Sequence, residues 1–171
     1  MIWISIIAGL ILILSIISGI KDGAIKSGLS LIVTLIAIPI AGSLYTMLAR
    51  LLSFLPGDNW DNFVGFFIVL GLISVILQLL LLLPRKLIQK IWSKGFFNRL
   101  IGGILSLANA AIGLVVFALV LTAYPVWNWL VQAVTGSGVI IWLVTHLGFV
   151  QTMLPELFRA GNKFFGVILF F

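Results

Sequence analysis

Cysteine is absent from this 171-residue chain, so no disulfide braces it. Thiolate metal sites and cysteine nucleophiles are excluded with it. Charge is nearly as scarce. Ten basic and four acidic residues make up 8% of the sequence, where soluble domains carry about 25%. With so few charges, a soluble chain of this length could not cover its surface. His146 is the only histidine, and Glu156 lies ten residues further on, beside Pro155. A metal site needs more ligands than that, and no serine has a base next to it in sequence. The sequence therefore predicts no metal, no cofactor, no catalytic residue and no enzyme. A lipid-modifying enzyme would require His146 and Glu156 to converge. The N-terminus also lacks the basic region and the A-x-A-like site of a cleavable leader, and is expected to stay.

Apolar residues are what the chain has in quantity. They form 63% of it, and the mean hydropathy is +1.33. About 20 apolar residues cross a bilayer core as a helix, and four uncharged runs qualify: 2–20, 27–49, 63–83 and 100–123. The last ends at Tyr124 and Pro125, with Trp127 and Trp129 just beyond as an interfacial aromatic belt. The fold class expected is an all-α integral membrane protein. It is a four-transmembrane-helix bundle of two hairpins over residues 1–125, plus an amphipathic interfacial helix and an apolar C-terminal tail.

The net charge of +6 reads as topology, with no nucleic-acid partner. Lysine and arginine collect on the cytoplasmic side of membrane helices. The first connector carries Lys21 and Lys26 against Asp22. The third carries Arg85, Lys86, Lys90, Lys94 and Arg99 and no acid, whereas the second sets Arg50 against Asp58 and Asp61. Connectors one and three are thus expected in the cytoplasm, with both termini outside. In residues 85–98 the lysines recur every fourth position, opposite Leu87, Ile88, Ile91 and Trp92. That pattern suits a helix lying in the headgroup layer with its lysines on anionic lipid. The tail, 126–171, is apolar but broken at Gly136-Ser137-Gly138. It reads as an interfacial or re-entrant segment, with a fifth span as the alternative.

Small residues mark helix contacts in lipid, because they let backbones approach. Gly19, Gly23, Gly28 and Ser30 are expected to pack, as are Gly102, Ser106 and Gly113. The third run offers Gly71, Ser74 and Gln78 in the same way. Two amides fall in the hydrocarbon zone. Asn109 lies about 15 Å from Arg99, and Gln78 about 10 Å from Arg85, at 1.5 Å per residue. They are read as a hydrogen-bonded pair between helices, or else as waypoints in a conduction path.

The stretch "GIKDGAIKSGLSL" at 19–31 is not a phosphate loop. That motif needs G-x-x-x-x-G-K-[ST] after a strand, whereas here an apolar helix precedes and Lys26 is three residues past Gly23. Instead, Gly23-Ala-Ile-Lys26-Ser-Gly-Leu-Ser30-Leu31 resembles the first connector of the colicin V production protein (CvpA) family. Asn98-Arg99-Leu-Ile-Gly102-Gly-Ile-Leu-Ser106 is similar to that family's block at the start of its last span, and Trp3-Ile4-Ser5 to its opening. Ser5, Ser27, Asn98 and Asn109 stand where the family usually has Asp, Glu, Asp and a basic residue.

The resemblance implies a bacterial inner-membrane protein linked to bacteriocin production or export. The small-residue stripes and the lack of reactive groups suggest that it works by helix–helix association, in that process or in envelope homeostasis. Its expected partners are a bilayer with anionic headgroups and further copies of itself or other subunits of a membrane complex. The alternative is a small channel or transporter lined by the polar residues of spans 2–4.

Overall fold

The computed structural model describes residues 2–52, 59–81 and 95–154, and among these every regular element is helical. The helices are α1 (Ile2–Leu51), α2 (Trp60–Leu80), α3 (Phe96–Ala123), α4 (Asn128–Thr135), α5 (Gly138–His146) and α6 (Phe149–Met153). Three of them are long and apolar enough to cross a membrane, or four if the bent pair α4 and α5 forms one span. The expected interfacial helix lies mostly outside the described residues, as do Arg85, Lys86, Lys90 and Lys94. Residues 96–98, which the sequence assigned to that connector, form the first turn of α3.

An unbroken helix of 50 residues would be about 75 Å long, more than twice the roughly 30 Å of a bilayer core. α1 avoids this at Gly23, whose φ of 79° and ψ of 169° lie outside the helical region. Gly23 is the one residue among those described with positive φ. Glycine takes up that conformation without the steric penalty a Cβ would bring. Elsewhere α1 keeps helical dihedrals, through Pro39 included.

Contacts show how the two arms run. Gly23 lies against Asn98 and Gly102, and Gly19 against Gly102 and Ser106. The first arm therefore ascends α3 as its own numbering falls. In the second arm Gly28 meets Leu105, Asn109 bonds Ser30, and Tyr45 bonds Tyr124. That arm ascends α3 as its numbering rises. α1 thus folds back at Gly23, and both arms flank the same helix. α2 descends antiparallel to the second arm, with Gly65 against Ala49 and Phe66 edge-on to Tyr45.

The core sits at the end away from the hinge. Tyr45, Phe66, Val115 and Leu119 are fully enclosed there, together with Val134 and Ile140 from the two short helices. α4 and α5 meet at 69°. Ser137 at the break is fully buried. Its hydroxyl caps α5 by accepting from Ile140 N, and it bonds the Ser5 hydroxyl at 2.9 Å. Tyr45 and Tyr124 share a hydroxyl bond of 2.7 Å. Burial, and then the bond to Tyr45, pushes the Tyr124 hydroxyl above its ordinary pKa, so it stays protonated. Trp127 meets Trp60 edge-on at 5.0 Å and stacks on Trp129 at 6.0 Å. Large aliphatic side chains face outward, among them Leu10, Leu14, Leu72, Val75 and Leu80.

Candidate functional site: the glycine hinge and the polar groove

The hinge is a meeting of backbones. A Cβ on Gly19 would fall on the carbonyl of Gly102 and on Ser106 Cβ. One on Gly102 would come within 2.8 Å of Gly23 Cα. Gly103 is nearly as tight, since a Cβ there would stand 3.1 Å from Ile20 Cγ1. Small residues are required at this crossing because no side chain fits between the helices. Gly28 makes a looser contact, 3.5 Å from Leu105 Cδ1.

Two polar links hold the bend. Leaving helical geometry at Gly23 strips the first amides of the second arm of carbonyls behind them. Asn98, from the first turn of α3, accepts from Ala24 N at 2.9 Å. It acts as an N-cap supplied by another helix. Across the break, Lys26 Nζ donates to Asp22 Oδ1. Both partners are partly exposed, so the pair adds little stability by itself. Its position joins the end of one arm to the start of the next. Lys21 and Arg99 are exposed close by.

One turn further along the second arm lies a groove of about 210 Å³ between that arm and α2. Lys26, Ser30 and Gln78 supply its polar wall, and Leu29, Val33, Val75, Leu79 and Leu81 the apolar remainder. The two helices run antiparallel, so Lys26 and Leu81 mark the hinge end of the groove and Val33 and Val75 its far end. Behind Ser30, Asn109 Nδ2 donates to Ser30 Oγ at 3.4 Å. Asn109 Oδ1 is buried without a hydrogen-bond partner among the described residues. Ser30, Gln78 and Asn109 thus form a polar layer across three helices, within otherwise apolar surroundings.

Several sequence expectations change here. Asn109 bonds Ser30 and not Gln78, and Gln78 is exposed on the groove wall. Both arms of α1 pack on α3, so the second arm supplies the nearest hydroxyl. Gly113 packs against no described helix of its own chain: it is exposed, with nothing within 4 Å of a Cβ there. At that height α3 buries Ile112, Val115 and Val116. Residue 113 lies 100° round the helix from 112 and falls outside that face. Gly71 also points outward, because α2 packs through Gly65, Phe66 and Val69. His146 is exposed and stacks on Trp142 at 4.2 Å, while Glu156 lies outside the described residues. The cap made by Asn98 was missed, although a lone Asn opening an apolar helix opposite a glycine was a usable signal. Asp22, a single negative charge in the sequence, is in the structure the acceptor for Lys26.

Long apolar helices that turn large aliphatic side chains outward define a membrane protein. The matching family model is that of the colicin V production protein, over residues 4–152. The chain belongs to the colicin V production protein family. Searches of curated proteins and of solved structures gave no match.

Proposed function

We propose that this is a four-span protein of the bacterial inner membrane that works by helix–helix association. The two arms of α1, α2 and α3 are its spans, and the hinge end faces the cytoplasm, where Lys21, Lys26 and Arg99 gather. The bent pair α4 and α5 is a re-entrant element closing the opposite end. In this reading the protein has no catalytic centre. It assembles with copies of itself, or with other membrane subunits, to support bacteriocin production or export, or envelope homeostasis.

The observation that carries this reading is the second pair of glycines. Gly9 on the first arm and Gly113 on α3 have open space where a Cβ would stand. The register that pairs Gly19 with Gly102 puts them at the same height. Backbone left bare at one height on two packed helices is the kind of surface that lets another helix approach. The expected result in mild detergent is a native mass above the 18.7 kDa protomer. Gly113→Leu should shift that mass toward the protomer without loss of helix content. A wild-type protein that stays strictly monomeric and brings no partner with it would sink the reading.

The polar layer supports a second reading, a small channel or transporter with Ser30, Gln78 and Asn109 along the path. Liposome flux that is unchanged by Asn109→Leu would remove that amide from any path.

A further inference from the structure

We propose that the groove between the second arm of α1 and α2 holds one zwitterionic phospholipid, its phosphate on Lys26 and an acyl chain between Val33 and Val75. The lining is graded along the helix axes. The one cation among the described lining residues, Lys26, stands at the hinge end beside Leu29, Leu79 and Leu81; Ser30 and Gln78 lie one turn in, and Val33 and Val75 beyond them. That is the order of phosphate, glycerol esters and hydrocarbon in a phospholipid standing in a leaflet. The groove's 210 Å³ takes on the order of seven water-sized groups at about 30 Å³ each. It therefore admits a segment of one chain, and the second chain stays in the bilayer.

The polar groups have capacity for this ligand. An ammonium has three donors, and Asp22 takes one of those on Lys26. Gln78 is exposed on a lipid-facing helix, where an amide without a partner is unfavourable; an ester carbonyl would accept from it. The charge pattern selects the headgroup. Among the described residues, Lys26 is the one charged residue lining the groove and is paired with Asp22, so an anion on its ammonium meets that carboxylate beside it; Lys21 and Arg99 are not among the lining residues. A headgroup with its own ammonium satisfies both, phosphate to Lys26 and ammonium to Asp22.

Native mass spectrometry of the delipidated full chain, titrated with phosphatidylethanolamine, phosphatidylglycerol or diacylglycerol of the same chains, tests the proposal. Adducts are counted per protomer, so the result does not depend on whether the protein self-associates. One phosphatidylethanolamine should be retained per protomer, in preference to both other lipids. Lys26→Gln should weaken retention about tenfold, the factor of one charge-assisted hydrogen bond. Val75→Trp should abolish it by filling the groove. Val75 is 56% exposed, so the ring enters without disturbing the core, which an unchanged melting temperature would verify. Leu14→Trp, on the outer face of the first arm, should leave retention intact. Retention of diacylglycerol or phosphatidylglycerol at the same level overturns the assignment. So does an adduct that survives Val75→Trp, or one lost equally in Leu14→Trp.

Discussion

Asn98 does for the second arm of α1 what an N-cap usually does from within the same chain segment. Its side-chain oxygen accepts from Ala24 N at 2.9 Å, 74 positions away in sequence, and its amide edge lies against Gly23. One side chain therefore caps a helix and ties α3 to the bend. Removing an N-cap acceptor lowers stability by about 1 kcal/mol. Asn98→Ala should lower the unfolding free energy by roughly that amount, read by denaturant titration in detergent. Asn98→Asp should keep the bond, because a carboxylate accepts from the same amide and is favoured at a helix N-terminus. The related family usually has Asp here, and this bond gives a physical reason why either residue serves. Equal losses in both variants would mean that the cap contributes nothing.

At the scale of elements, the helices were legible and their partners less so. Uncharged runs of about 20 residues have few alternatives to a helix in lipid, because every backbone group must be satisfied within the chain. The glycine–lysine stretch read as a tight turn between two helices. In the structure a single residue makes the bend, and helix continues on both sides of it. Sequence spacing also identified Gly19 and Gly102, whose backbones touch. Gly113, Gly71 and Gln78 instead lie exposed in the protomer; a small or polar stripe looks the same whether it faces a neighbour or the outside. Only the relative rotation of packed helices decides that, and no local pattern encodes it. The crossing itself makes a firm prediction. Gly102→Ala would place a Cβ within 2.8 Å of Gly23 Cα, so α3 must move away from the hinge. Overpacking of this kind destabilises by about 1–3 kcal/mol. Thermal melting in detergent should show that loss at Gly102, and almost none for Gly71→Ala, where the added methyl meets open space.

For the whole molecule, the position of the two ends follows from how α1 is folded. Gly23 and the start of α3 share one end. Leu52, Asn59 and Pro125 gather at the other, where Asn59 Nδ2 donates to the Pro125 carbonyl at 3.2 Å. If the basic hinge end is cytoplasmic, the tryptophan-rich end faces out, and α2 and α3 each cross once between them. The absence of cysteine makes this directly testable, since one introduced thiol is the only thiol present. Leu52→Cys and Asn128→Cys should react with a membrane-impermeant maleimide in right-side-out vesicles. Gly95→Cys, exposed just before α3, should react only after the vesicles are opened. Reaction of all three from the same side would mean that α3 does not cross the membrane. Protection of Leu52→Cys alone would mean that the second arm of α1 does not. A hairpin at Gly23 with a single crossing by α3 requires a split pattern, and a cytoplasmic hinge end sets its sense: two thiols outside and one within.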